Sequence, residues 1–416
     1  MPTPIANRWG VFALTSVFFL LSQFYRASMA VISSDLIRDL ELSATDLSLL
    51  SSAFFYVFAL VQVPLGLTLD RFGPRLTMSV LSVFGVAGAL CFAWAESLAV
   101  AVGARMLLGL GMACNLMGPF KLLTLWFGPA QFASLTTVMF SIGAAGSIVA
   151  SSPLVALVQG VGWRWAFTLI AAFHALLTAV FFLCIRDHPP RSQAVESSPG
   201  LAELLRGLRI LFRSREYWLI SVGTFFRYGI FAAIQTLWAG PYLMYGIGLS
   251  PMQAGNIILA LNVAFIIAGP LWGSLSDRVQ RRKEVILIGL LGMGMSLAAL
   301  TLQSEGTSLL FLGLLFAAFG VSGSTGGIMY THIKERMPSH LAATAMTGIN
   351  LFTMFGAAFF VHGMGFVMEK VYAEKALDLP AFRLSFLLCA GCMAAVFVLY
   401  VFTREESKTE NKEPKQ

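Results

Sequence analysis

Apolar runs long enough to cross a bilayer recur along the whole chain, and no other feature constrains its fold as strongly. A spanning helix needs about 20 mostly apolar residues. Twelve such runs can be read, at roughly 9–32, 46–69, 76–95, 98–127, 131–159, 163–186, 217–245, 250–276, 284–303, 306–333, 340–369 and 381–403. Composition agrees where it bears on the point. Of 416 residues, 57% are hydrophobic and only 12% charged, against roughly 25% charged in a soluble protein. A soluble body could not clothe itself with so few charges. This excludes a soluble enzyme, a disordered scaffold and a disulfide-stapled secreted fold. What remains is an all-α membrane protein of twelve transmembrane helices.

One link between runs is long. From Asp187 to Glu216 the chain carries His188-Pro189-Pro190, Ser197-Ser198-Pro199-Gly200 and four arginines, Arg206, Arg209, Arg213 and Arg215. It reads as a tether with a basic amphipathic helix at 201–213. The expected division is therefore 1–186, a six-helix bundle; 187–216, a cytoplasmic linker; 217–403, a second six-helix bundle; and 404–416, a charged tail expected to be disordered. With both termini in the cytoplasm, nineteen Lys and Arg fall in inside segments and five outside, the bias that orients membrane proteins. The net charge of +7 follows from that bias, so no nucleic-acid partner is expected. Cys91, Cys114, Cys184, Cys389 and Cys392 all lie in apolar stretches and read as small core residues. The first apolar run lacks a convincing cleavage site, so no removable signal is expected.

The two halves echo each other. Pro64-Leu65-Gly66, leading to Asp70-Arg71-Phe72-Gly73-Pro74-Arg75, follows the second run. Pro270-Leu271-Trp272-Gly273, leading to Asp277-Arg278, with Arg281-Arg282-Lys283 beyond, follows the eighth. Trp163-Arg164-Trp165-Ala166-Phe167 and Phe382-Arg383-Leu384-Ser385-Phe386 open the sixth and twelfth. Transporters built from repeats hold substrate between them near the midplane. The Gly66, Asp70, Arg71, Gly73, Arg75 pattern resembles the loop signature of the major facilitator superfamily, and Arg105-x-x-x-Gly109-x-Gly111 resembles that family's second motif. The resemblance covers all twelve runs. It implies two pseudo-symmetric six-helix bundles working by alternating access. It also implies a cytoplasmic gate formed by Gly66, Asp70, Arg71, Gly73, Arg75, Arg105, Asp277 and Arg278.

Four basic residues lie inside apolar runs: Arg26, Arg105, Lys121 and Arg227. A charge at the bilayer centre costs about 2.5–3.5 kcal/mol on insertion scales, and Arg cannot shed its proton. Runs one and seven, which carry Arg26 and Arg227, are counterparts in the repeat, although Arg227 lies only eleven residues past Glu216 and the two depths need not match. Facing each other the two arginines would repel unless an anion lay between them, and their forked donors suit carboxylate or phosphate. Alternatively Arg26 snorkels toward one face, or carbonyls of a broken helix satisfy either residue. Arg227-Tyr228-Gly229, with Trp238 and Pro241-Tyr242-Leu243, is similar to helix seven of the organophosphate:phosphate antiporters. Tyr25-Arg26 is similar to helix one of that family and of the anion:cation symporters. Lys121 falls where those antiporters carry a basic residue. The resemblance implies that Arg26 and Arg227 bind the anionic group, with Lys121 assisting on the cytoplasmic path. The chain departs from the pattern in having no His between Phe132 and Gln159, and Tyr25 where proton-coupled symporters carry an acid. Phosphate specificity and proton coupling are therefore left open.

No Asp or Glu lies mid-run. The titratable groups left for proton coupling are His362 and His174. Tyr25, Asn115, Gln235, Asn262, Tyr330 and Asn350 are further substrate-binding candidates, since amides in a span must be hydrogen-bonded to something. No nucleotide loop, metal cluster or nucleophile constellation is present in the sequence, so no cofactor, metal or enzymatic activity is expected. The expected partners are a small-molecule substrate and the lipid bilayer, the expected state a monomer, and the expected location a bacterial inner membrane. The functional reading is transport of a small organic anion. A carrier of a neutral or zwitterionic solute such as an amino acid, or a non-transporting sensor of the same fold, remains an alternative.

Overall fold

A computed structural model describes residues 7–127, 129–187, 209–337 and 341–404. The expected amphipathic helix at 201–213 lies largely outside the described residues, as does the tail beyond Arg404. Among the described residues the chain is helical, with no strand. Eleven helices are long and apolar enough to cross a membrane, or twelve when one bent pair counts as a single span.

The first span is two helices, α1 (Arg8–Ala27) and α2 (Met29–Leu40), broken at Ser28. The second and third are one 50-residue helix, α3 (Ala44–Ala93), kinked at Gly73. The fourth is α4 (Leu98–Met112) with α5 (Met117–Trp126). The fifth is α6 (Pro129–Val149) with α7 (Ser152–Val161), bent by 43°. The sixth is α8 (Trp163–Cys184). The seventh, Arg215–Gly246, is 32 residues long. It comprises α9 (Arg215–Ala233), a π-turn at Ile234–Trp238, α10 (Ala239–Pro241) and a second π-turn at Tyr242–Gly246. Then follow α11 (Pro251–Val279), α12 (Arg282–Thr301), α13 (Leu309–Gly323) with α14 (Gly326–Arg336), α15 (Ala342–Tyr372) and α16 (Leu379–Val401). Arg8 and Arg404 lie at one end of the bundle, here the terminal face. The opposite end, where the short links after α2, α7 and α15 turn, is the far face.

Local chemistry explains where these helices start. Ser43 with Asp46, and Ser250 with Gln253, form reciprocal capping boxes at the far-face starts of α3 and α11. Pro251 occupies the first turn of α11, where its missing N–H costs nothing. Gly73, at φ 75°, lets the chain turn from span two to span three. The Asp187 carboxylate beside it accepts the Arg75 N–H at 2.6 Å, and the Arg75 guanidinium donates to the Phe182 carbonyl. The loop signature thereby anchors the end of span six. The end of span twelve is anchored by other residues. Lys283 donates to the Val401 and Thr403 carbonyls, His332 lies 3.1 Å from the Arg404 carbonyl oxygen, and the Arg404 N–H donates to Glu216.

The halves meet closely at the far face. A Cβ at Gly240 would run into the Ala30 carbonyl, and one at Gly365 into Ser48 and the Ala44 carbonyl. Hydrogen bonds cross there as well. Thr45 N–H donates to Glu369 Oε2 at 2.8 Å, and Ser152 Oγ to Asn256 Oδ1 at 2.6 Å. Ser48 Oγ lies 3.3 Å from His362 Nδ1. Deeper, near mid-span, Asn262 Nδ2 donates to the Ser147 carbonyl at 3.2 Å. At the terminal face no hydrogen bond or ion pair joins the halves among the described residues. The described conformation is closed at the far face.

Candidate substrate site and gates

Spans one and seven both outrun the roughly 20 residues a bilayer requires, so Arg26 and Arg227 fall near their middles rather than near a face. This bears on the snorkelling alternative for Arg26. The residue is 7% exposed and Arg227 5%, and neither reaches out along a face. Both point inward, into one cluster. The Tyr228 phenol meets the Arg26 guanidinium across the half-interface, and Tyr330 of α14 lies in electrostatic range of both arginines. The Tyr330 hydroxyl donates to Asn350 Oδ1 at 3.0 Å and sits 3.3 Å from Thr353 Oγ1 on α15. Arg26 Cζ stands 4.3 Å from the Phe58 ring centre, and Arg227 Cζ 5.8 Å from that of Phe231. Gly326 at the start of α14 leaves the room that the Arg227 guanidinium fills.

Arg26 Nε, Arg227 Nε and Arg227 Nη2 are buried with no hydrogen-bond partner among the described residues. No carboxylate in the described spans reaches them. A buried guanidinium left unpaired is costly, so an arrangement that aims two of them at one place is suited to an anion supplied from outside the protein.

The break at Ser28 places a third arginine beside the cluster. There the Tyr25 carbonyl accepts from the Ser28 hydroxyl at 3.2 Å and from Arg105 Nη1 at 3.0 Å. Arg105 is fully buried, its Cζ 5.0 Å from the Phe54 ring centre, with Arg26 Cζ 6.0 Å from the same ring. Expected at the gate, Arg105 instead stitches α4 to the break in span one. Tyr25 is fully buried, its ring 6.0 Å from that of His174. His174 is enclosed in the first half against Phe18, Gly85 and Met112, away from the half-interface. Asn115 donates to the Phe18 carbonyl inside that same half. His362 faces the far-face interface, against Ser48.

Two amides expected to face substrate bond to each other. Gln235 Nε2 donates to Asn262 Oδ1 at 2.6 Å, and Asn262 reaches on to Ser147. Lys121 is drawn to the terminal face, where it pairs with Asp70 and donates to the Leu69 carbonyl. The second copy of the loop repeats this pairing with the charges exchanged. Arg282 bonds Asp277 at 2.6 Å and Glu335, near the end of span ten, at 3.1 Å. Arg71 and Arg278 are exposed, and a Cβ at Gly66 would meet nothing within 4 Å. Asp70 and Asp277 are thus each paired within their own half. Tyr228, Thr353 and the rings Phe54 and Phe58 were absent from the sequence candidates. Tyr228 carried a usable signal, because it adjoins Arg227 and is a polar ring in an apolar span.

A twelve-span bundle with cations buried between its halves is the architecture of a solute carrier. The Major Facilitator Superfamily profile matches residues 13–239 and 220–416, and the chain belongs to that superfamily; it is a membrane transporter, not an enzyme. Among curated relatives, "Probable sulfoacetate transporter SauU" of Cupriavidus necator is 24% identical over 421 residues, 96% of this chain and 95% of that protein. "Probable L-galactonate transporter" of Escherichia coli is 24% identical over 417 residues, 94% of this chain and 88% of that protein. Solved structures share the fold. Nucleoside transporter NupG superposes with TM-score 0.80 at 13% identity, covering 95% of this chain and 99% of that one. A bacterial homolog of the human lysosomal transporter Spinster, inward-facing and unoccupied, gives 0.76 at 17%, covering 95% of each chain.

Proposed function

We propose that this protein moves a small organic anion, a carboxylate or a related oxyanion, across a bacterial inner membrane by alternating access, acting as a monomer. The observation that carries the reading is the pair of mid-span guanidiniums, Arg26 and Arg227, with unpaired buried donors and no acid beside them. Tyr228, Tyr330 and Asn350 supply hydroxyl and amide groups to the same place. Relatives named for sulfoacetate, L-galactonate and galactarate/D-glucarate support an oxyanion as the cargo. The excess of Lys and Arg at the terminal face assigns that face to the cytoplasm. The described conformation is then inward-open, and the Lys121–Asp70 and Arg282–Asp277 pairs are gate charges in their parted state. The two six-helix halves, 1–186 and 217–403, move as the rocking bodies.

A thermal-shift screen of the purified protein tests the substrate class. Mono- and dicarboxylates, sulfonates, phosphorylated sugars, amino acids and neutral sugars are compared on wild type, Arg26→Ala and Arg227→Ala. A ligand at a hundred times its dissociation constant stabilises by about 2.7 kcal/mol. An anion that shifts wild type and neither variant supports the reading. Stabilisation only by neutral compounds, or equal responses in the variants, refutes it.

A further inference from the structure

We propose that Phe58 and Phe231 are positioning residues for substrate binding. Each answers the charge of one substrate-binding guanidinium with a ring, in the place a carboxylate would take, and so leaves that guanidinium's hydrogen-bond donors to the anion. The proposal rests on the reading of Arg26 and Arg227 given above.

The two arginines carry their charge whether or not an anion is bound. In the empty site that charge still stands in an apolar interior, and no Asp or Glu lies mid-run to offset it. Each half supplies stacked phenyl rings instead. In the first half Phe54 and Phe58 are four residues apart on α3 and so share one face. Their rings stack, with centres 6.0 Å apart and planes 20° apart. Arg26 Cζ lies over Phe58 at 4.3 Å and Arg105 Cζ over Phe54 at 5.0 Å, so the two rings answer two cations. In the second half Phe231 follows Arg227 by one helical turn on α9, and Arg227 Cζ lies 5.8 Å from its centre. Phe231 is stacked in turn on Phe265 of α11 at 4.9 Å and on Phe319 of α13 at 5.5 Å. Phe54, Phe58, Phe231 and Phe319 are each no more than 2% exposed, and a cation–ring attraction is strongest when water is kept out.

Glycines seat both stacks. A Cβ at Gly109 of α4 would run into the Phe54 carbonyl, and one at Gly323 of α13 into the Phe231 ring. These helices belong to spans four and ten, counterparts in the repeat, so each half seats its stack against the same span. The difference from an acid is chemical. A resident carboxylate would pair with the guanidinium through the donors that a substrate oxyanion must also use, and the two would compete. A phenyl ring attracts the cation through its quadrupole and has no oxygen. Arg26 Nε, Arg227 Nε and Arg227 Nη2 accordingly keep no hydrogen-bond partner among the described residues.

Two measurements on the full-length protein in lipid test this, one without ligand and one with sulfoacetate, a carboxylate–sulfonate, as the probe anion. Wild type is compared with Phe58→Leu, Phe58→Tyr, Phe231→Leu and a control, Phe382→Leu, whose buried ring meets Tyr242 and Phe386 instead. In nanodiscs, magnetic resonance of nitrogen-labelled arginine is expected to show the Arg26 Nε–H signal, assigned by its loss in Arg26→Lys, displaced by the ring current of Phe58. The displacement is expected to vanish in Phe58→Leu and to persist in Phe58→Tyr. In proteoliposomes the KM for sulfoacetate is expected to rise about tenfold in Phe58→Leu and Phe231→Leu, with kcat changed by less than about twofold. Phe58→Tyr and Phe382→Leu are expected to stay close to wild type. An Arg26 signal that Phe58→Leu does not move, an unchanged KM, or an equal rise in Phe382→Leu overturns the proposal. A ring-shifted signal in a protein that does not move sulfoacetate keeps the Phe58 stack and removes that anion from the substrate reading. Flux with an unmoved signal keeps the substrate reading and removes the stack.

Discussion

Arg26 and Arg227 carry the substrate reading as individual side chains, through donor geometry as well as charge. A guanidinium offers a planar fork that an ammonium cannot reproduce. Arg26→Lys and Arg227→Lys are therefore expected to lose at least about tenfold in anion affinity by titration calorimetry, and the alanine variants about 10- to 100-fold, the value of one or two charge-assisted hydrogen bonds. Retention of wild-type affinity by either lysine variant would reduce the arginines to generic positive charge. These two residues were legible in the sequence because a permanent charge in an apolar run needs a reason. The surrounding shell was less so. Tyr228 and Thr353 look like ordinary polar residues of a helix; Tyr228 becomes a neighbour of Arg26 only where α9 meets α1 across the half-interface, and Thr353 a neighbour of Tyr330 only where α15 packs on α14. Arg105 matched a gate motif by spacing, but its position was decided by the Tyr25 carbonyl at the Ser28 break. Lys121 was read as a path residue, and the Asp70 carboxylate holds it at the terminal face.

Helix ends and helix breaks decide the behaviour of the elements. Apolar run length placed most spans to within a few residues, since twenty apolar residues in a row can do little else, but the first span runs on to Leu40, eight residues past its expected end. Run length did not reveal that spans two and three form one kinked helix, or that spans one, five and seven are interrupted at Ser28, at Ser151 and at the two π-turns. Pro153 just after Ser151 and Gly240-Pro241 between the two π-turns mark two of these breaks in the sequence, whereas the one at Ser28 carries no Gly or Pro. The kink at Gly73 yields an element-level prediction. Gly73→Ala places a Cβ at φ 75°, ψ 160°, a region essentially reserved for glycine, and against the Asp187 carboxylate, at a cost of roughly 1–3 kcal/mol. A fall of a few degrees in melting temperature is expected, with flux per folded molecule little changed. The close approach at Gly365 yields another. Gly365→Leu cannot fit against Ser48 and the Ala44 carbonyl, so it is expected to hold the far face open. In a cysteine-free background, a cysteine at Ala30 should then react faster with a membrane-impermeant maleimide added from outside. An unchanged rate would mean that the helices repack around the leucine instead.

For the whole molecule, the repeat in the sequence already announced two related halves, and the closure of one face shows how they are set. Glycines and hydrogen-bonding side chains tie the halves at the far face, while Asp70 and Asp277 of the terminal face are each paired within their own half. Which face opens could not be read from the sequence, because both conformations use the same helices and differ only in which surfaces touch. The arginine cluster lies between the halves, so on the proposed reading a substrate held there is exposed to one side at a time. The most direct test of this account is counterflow in liposomes. Purified protein is reconstituted with an unlabelled organic anion inside, drawn from the carboxylates and sulfonates that stabilise it, and uptake of the labelled anion is followed. The account predicts transient accumulation by wild type and none above protein-free liposomes by Arg26→Ala or Arg227→Ala, with all three proteins equally folded. Accumulation that persists in both variants would contradict it.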